Sequence, residues 1–176
     1  MKITISGPPG SGKTTVCKLL SERLSIDHVI SGNVFREMAQ KLNLSLAEFG
    51  RLAHQDPKYD HMIDDSMVET ASMRGDLILE GRLAAHNLAG KGMEAFKVYL
   101  DADPEVRAAR IMEREKGDLQ TIMREMLERE ECERQRYMQW YGIDLKDLSV
   151  YDLVVDTSKL SPEEVVDRIV EELEEE

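Results

Sequence analysis

Residues 1–15 read MKITISGPPGSGKTT, and this stretch decides the fold. Lys2-Ile3-Thr4-Ile5-Ser6 is a short β-branched run, the pattern of a strand. Gly7 to Thr14 follow as a glycine, four residues, then Gly-Lys-Thr. From Lys13 to Leu24 the apolar residues Val16, Leu19, Leu20 and Leu24 recur at helical spacing. A strand, a glycine-rich turn and a helix form the context in which this motif cradles phosphate groups. The turned backbone offers N–H groups to phosphate oxygens, and the helix start adds positive partial charge. Gly7, Pro8, Pro9, Gly10, Ser11, Gly12, Lys13, Thr14 and Thr15 are therefore the predicted triphosphate-binding residues. Lys13 is expected on the β- and γ-phosphates, and the Thr14 hydroxyl on Mg²⁺. The motif specifies triphosphate binding and leaves the reaction open.

Outward from this start, short apolar runs alternate with helical patterns. Strands are predicted at His28–Ser31, Leu77–Leu79, Phe96–Leu100 and Leu153–Val155. A polar-rich helical stretch runs from Val34 to about Gly75, with Asp56-Pro57 marking a helix start inside it. Asp103-Pro104 opens a long helical stretch to about Trp140, stopped by Gly142. Ser161 caps a last helix whose buried face is Val165, Val166, Ile169, Val170 and Leu173. The acidic end EELEEE reads as its solvated terminus. Strands alternating with helices mean an α/β fold with a parallel sheet. Ligands then bind beyond the carboxyl ends of the strands. Those ends carry Ser6, Ser31, Glu80, Asp101 and Asp156, so all five point to one site. Glu80 or Asp101 could hold a Mg²⁺-bound water; Glu80 is the favoured candidate.

Charge narrows the partners. The net charge of -12 argues against nucleic acid, which needs clustered basic side chains. No apolar run approaches the ~18 residues of a membrane span. No basic start or long apolar segment precedes the first strand, so no signal peptide is expected. The two cysteines, Cys17 and Cys132, have no metal-like spacing and suit a reduced, cytoplasmic protein. The four histidines are scattered and read as structural or surface residues.

The arginines are unevenly placed. Seven of thirteen lie between Arg107 and Arg136, in company with seven glutamates. Ion pairs at i,i+4 on a solvated helix account for most of them, Arg114 and Arg124 included. Arg129, Glu133 and Arg136 share one helical face and suit a lid closing over phosphates. Arg36 in SGNVFR and Arg82 in LEGR follow two strand ends. Three separate segments thus bring an arginine to one rim. One triphosphate does not need so many; a second anionic substrate does. Phosphoryl transfer asks for this in-line positioning and charge stabilisation. No Asn-Lys-x-Asp base-reading motif of a guanine-nucleotide switch occurs.

At this point the chain resembles the nucleoside-monophosphate kinases, and most of all cytidylate kinases of the short, archaeal type. The phosphate loop GPPGSGKTT, then SGNVFR, LEGR, LDADPEVRAARI, EREECERQRY, YGID and DTSKLSPEEV carry the likeness, from Lys2 to about Val170. It implies a P-loop three-layer sandwich with a five-stranded parallel sheet. Residues 1–176 would be a single kinase domain with a helical acceptor-binding insertion at 33–75 and a lid at 114–136. It further implies that Lys13, Arg129 and Arg136 are catalytic. Ser31, Arg36, Arg82 and Glu133 would bind the acceptor, with Arg36 and Arg82 on its phosphate. The loop from Asp156 to Lys159 would lie near the ATP base. The expected reaction is ATP plus CMP, or dCMP, to the diphosphates, with Mg²⁺, by a cytoplasmic monomer. Ser31-Gly32 stands where adenylate kinases tend to have Thr-Gly, which favours a pyrimidine. The long insert of bacterial members is absent, so its base and sugar contacts do not transfer. The Asp-x-Asp pair of shikimate-type kinases is absent after the second strand. AMP or UMP as acceptor is the first alternative. A nucleotide-binding switch or ATPase acting on a protein partner is the alternative of a different class.

Overall fold

The structure, a computed structural model, describes residues 1–175. Its strands are β1 (Lys2–Ser6), β2 (His28–Ile30), β3 (Leu77–Glu80), β4 (Phe96–Asp101) and β5 (Leu153–Asp156). They form one parallel sheet in the order β2-β3-β1-β4-β5. The helices are α1 (Lys13–Leu24), α2 (Ser31–Lys41), α3 (Leu46–Gln55), α4 (Pro57–Met73), α5 (Ala84–Gly90), α6 (Pro104–Glu115), α7 (Leu119–Tyr141) and α8 (Pro162–Glu175). The last residue of the acidic tail lies outside the described residues. Among the described residues no helix is long and apolar enough to cross a membrane.

Both faces of the sheet are covered, which is why β3 reads as an unbroken apolar run. Ile78 of β3 packs with Ile3, Ile5, Val98 and Leu100 against α1 and α8. Leu77 and Leu79 face the other way, against Ile63, Met67 and Ala71 of α4 and Ala84 and Leu88 of α5. The predicted face of the last helix is confirmed, with Val165, Val166 and Ile169 buried. Ser161 opens that helix as predicted: its hydroxyl accepts from the Glu164 amide at 3.2 Å, and Glu164 accepts from the Ser161 amide at 2.7 Å.

Three local differences from the sequence reading bear on the site. β2 stops at Ile30, and Ser31 is the first residue of α2. The stretch from 34 to 75 divides into α2, α3 and α4, gathered around fully buried Phe49, whose ring lies 4.5 Å from Phe35 and 5.5 Å from Tyr59. The long stretch from 104 to 140 is two helices. Lys116 turns left-handed at φ 53 and ends α6, and the Asp118 side chain caps α7 by accepting from the Thr121 amide at 3.0 Å. The broken pair keeps its own small core of Ala108, Ile111, Ile122 and Met126. Gly142 ends α7 in the left-handed conformation, as its position predicts.

Candidate active site

The register aligns the strand ends. Ile5 pairs with Glu80, Ile30 pairs with Glu80, and Asp101 pairs with Asp156. Ser6, Glu80, Asp101 and Asp156 therefore reach one edge of the sheet, and the glycine loop crosses it. Gly7 and Gly10 are required there. A Cβ on Gly7 would lie 2.1 Å from the Leu100 carbonyl oxygen, and one on Gly10 2.6 Å from that of Arg107.

Five successive carbonyls of the loop are held by side chains, four of them from outside it. Arg82 donates to Gly7 at 2.8 Å and Lys13 to Pro8 at 2.9 Å. Arg107 donates to Pro9 at 3.3 Å, Arg110 to Gly10 at 3.1 Å, and the Thr157 hydroxyl to Ser11 at 3.0 Å. These bonds hold the course of the loop backbone. The amides starting α1 have no intrahelical acceptor, and Gly12 supplies no side-chain cap. They are left for an anion.

Lys13 sits in an unbalanced field. Burial, with the Arg82 guanidinium beside it, lowers its amine to about 8 against the opposing pull of Glu80 and Glu133. Burial raises the Glu80 carboxyl, and Lys13 and Arg82 temper the rise. The Thr14 side chain is exposed at the start of α1. Thr14 and Glu80 thus flank the cradle with oxygen donors, the type that Mg²⁺ takes.

A cavity of about 550 Å³ opens beside the loop. Ser31, Arg82, Arg129, Glu133 and Arg136, five of the candidate residues, all line it. Arg82 also pairs with Glu133 of α7, which ties the end of β3 to that helix. Burial opposes the charge of Glu133, yet Arg82, with Arg129 and Arg136 behind it, holds its carboxyl below the usual range. Arg129 is 71% exposed and stands 3.4 Å from Glu133. Arg136 turns inward, 3.5 Å from Asp60 and 3.3 Å from His54 Nδ1, with its guanidinium over the Tyr137 and Trp140 rings.

Arg36 stands apart from this group. Its exposed side chain donates to Asn33 Oδ1 at 2.7 Å, and it does not line the cavity. Its guanidinium nevertheless lies close to Gly32, which does line the cavity. Sequence reasoning also missed residues that belong here. Arg107 and Arg110 are not surface ion-pair partners of their own helix but clamps on the loop. The signal was there for Arg107, which shares the buried face of α6 with Ile111 one turn on. Cys132 lines the cavity without any pattern that marked it, and Asp60 and Asp64, which the sequence leaves open between acceptor contacts and helix caps, line it too. Cys17 is buried, and burial pushes its thiol up to about 12, an inert core residue as expected.

A second hollow, of about 390 Å³, lies on the far side of the loop between Thr15, Arg110, Arg114, Thr157 and Leu160. Thr157 belongs to the segment expected near the nucleotide base.

Known proteins are similar to this chain. Residues 2–159 match the cytidylate kinase-like family. A cytidylate kinase of Halobacterium salinarum is 44% identical over 171 residues, covering 97% of this chain and 88% of its own length. One from Methanocaldococcus jannaschii is 45% identical over 166 residues, 94% of this chain and 93% of its own. The shikimate kinase of Bacteroides thetaiotaomicron superimposes with a TM-score of 0.67 at 16% identity, over 99% of this chain and 98% of its own, a likeness of fold. The phosphate loop, the arginine-lined cavity and this extent of identity agree, and the chain belongs to the cytidylate kinase-like family.

Proposed function

We propose that this chain transfers the γ-phosphoryl group of ATP to CMP, and to dCMP, giving ADP and the cytidine diphosphate. One observation supports it above the others: Arg82 and Lys13 bond to adjacent carbonyls of the loop, Gly7 and Pro8, while Arg82 also lines the neighbouring cavity. A phosphate held by Arg82 in that cavity therefore abuts a phosphate held by Lys13 in the cradle. In-line transfer asks for this adjacency.

In this reading Gly7 to Thr15 hold the triphosphate of ATP, and its base occupies the hollow beside Arg110 and Thr157. The acceptor enters the cavity with its phosphate on Arg82 and its nucleoside towards α4. Ser31 and Glu133 contact the acceptor. Arg36 joins by exchanging Asn33 for the acceptor phosphate. Lys13 stays on the transferring group. Arg129 and Arg136, from the lid, neutralise charge as it spreads over the equatorial oxygens. No general base is needed, because the acceptor phosphate oxygen is already anionic near pH 7. Thr14 and, through a water, Glu80 would hold Mg²⁺, which when bound neutralises charge on the donor phosphates. The segment 114–136, now the end of α6, the turn and most of α7, acts as the lid. The helices of 33–75 form the acceptor wall. Closure excludes water, which would otherwise take the phosphoryl group. A cytoplasmic monomer with nucleotides as its only partners completes the proposal.

The test is ADP formation from ATP-Mg²⁺ against CMP, dCMP, UMP, AMP and GMP, with a control lacking acceptor. CMP and dCMP are expected to give the highest kcat/KM. Higher activity with AMP or UMP would refute the substrate. Hydrolysis unaffected by any acceptor would support a switch or ATPase instead.

A further inference from the structure

The cavity has a charged half and an apolar half. Arg82, Arg129, Glu133 and Arg136 make the first. Phe35, Ile63, Met67, Leu83 and Ala84 make the second. Asp60 and Asp64 are one turn apart on α4, and both line the cavity. They differ in company. Asp60 faces Arg136 at 3.5 Å and belongs to the charged half. Asp64 has no salt-bridge partner among the described residues. Its neighbours are Asp60 and Asp65 of its own helix, the Asn87 side-chain amide of α5, and Tyr141 of α7. Beside Asp64 the buried Tyr141 hydroxyl has no hydrogen-bond partner among the described residues.

We propose that Asp64 is the base-reading residue of the acceptor cavity, holding the exocyclic amine and the adjacent ring nitrogen of an aminopyrimidine. This rests on the acceptor reading above. Cytosine presents an N4 amine that donates, beside an N3 that accepts. An ionised carboxylate only accepts and would face the N3 lone pair. A neutral carboxyl accepts through one oxygen and donates through the other. Burial, with Asp60 and Asp65 adding to it against the Asn87 amide, pushes Asp64 up to about 7, so the neutral form is within reach at ordinary pH. Asn87 adds direction. The Asn87 amide lowers the carboxyl of Asp64; an N–H from it to one Asp64 oxygen would make that oxygen the acceptor and leave the proton on the other. The two oxygens are no longer interchangeable. Uracil reverses both groups, with O4 accepting and N3–H donating, and meets the wrong oxygen at each.

The experiment is kcat/KM for CMP and UMP with the wild type, Asp64→Ala, Asp64→Asn and Asn87→Ala, each checked for folding by thermal melting. Asp64→Ala is expected to lower CMP kcat/KM by about 10- to 100-fold, the worth of one bidentate base contact, mainly through KM. UMP should change little, so the CMP/UMP ratio collapses. Asp64→Asn presents the same acceptor and donor and should keep the ratio within about fivefold, since the contact survives. Asn87→Ala should narrow the ratio by admitting UMP. A ratio unchanged in both alanine variants overturns the proposal. So does an Asp64→Asn enzyme that loses the preference. A wild type that prefers another monophosphate refutes the acceptor reading itself; a wild type that prefers CMP while the variants keep its ratio refutes this assignment alone.

Discussion

Arg107 of α6 and Glu130 of α7 form an ion pair across 23 positions of sequence, with the arginine side chain only 6% and the glutamate 21% exposed. The same guanidinium donates to Ala102 at 3.0 Å and to Pro9 of the loop at 3.3 Å. One cation thus joins a strand end, the phosphate loop and α7. Glu130→Ala leaves that cation buried without its counter-charge. The expected loss is about 3 kcal/mol, the lower end for a broken buried pair. For a chain of this length that is roughly 6–12 °C in Tm. The double variant Arg107→Met with Glu130→Leu should recover most of it, because no charge is left stranded. Thermal denaturation of the three proteins measures both effects.

Lys13 is held against its own preference. Its amine is lowered from 10.5 to about 8, by burial first and then by Arg82. Between those two values the unfolded chain binds more protons at this residue than the folded one. The stability deficit from Lys13 is therefore complete below about pH 8 and is relieved as pH rises towards 10.5. Lys13→Met is expected to raise Tm by about 2–4 °C at neutral pH, equivalent to about 1 kcal/mol, while turnover falls by roughly a thousandfold with loss of a phosphate-stabilising charge. Melting curves at pH 7 and pH 9.5 check the sign: the gap between variant and wild type should shrink at the higher pH.

The loop glycines separate by what surrounds them. Gly10 is left-handed at φ 77 with the Arg107 carbonyl in the way of any Cβ, whereas Gly12, at φ 96, has open space. Gly12→Ala meets backbone strain alone and should cost about 1–2 kcal/mol. Gly10→Ala meets strain and a backbone atom that cannot yield without moving α6. It should lose more stability than Gly12→Ala and lose ATP binding as well. Denaturant titration and nucleotide binding by calorimetry on the two variants decide it.

Arg136 is tethered to Asp60, His54 and two aromatic rings, with its side chain 18% exposed. Arg136→Ala should reduce kcat by about 100- to 1,000-fold, as the removal of one transition-state donor does. Its tethers are loose ones, so Tm should fall by only a few degrees. A large loss of Tm with a modest loss of rate would mark it as a structural strut.

The sheet was legible because β3 and β4 are apolar runs that end abruptly in acids. The loop was legible because its motif lies between an evident strand and an evident helix. α1 runs from Lys13 to Leu24 as its spacing predicts. What escaped was of two kinds. α5 spans only AAHNLAG and has no side-chain cap, so neither periodicity nor a start signal could reveal it. Arg107 and Arg110 are charged residues on a helix, and local spacing does not tell a side chain facing solvent from one facing a loop. Arg110 bonds to Gly10 across 100 positions, and nothing near it in sequence records that contact.

The central claim is that two phosphate sites abut across Arg82 and Lys13. Its most direct measurement is the affinity of a bisubstrate compound, adenosine and cytidine joined 5′ to 5′ by five phosphates, compared with ATP and CMP alone. Adjacent sites predict a Kd at least about a hundredfold below that of either nucleotide, as linking two bound parts allows. Arg82→Ala should abolish most of that advantage. An affinity no better than that of ATP alone would mean that the cavity and the cradle do not meet, and would contradict the account.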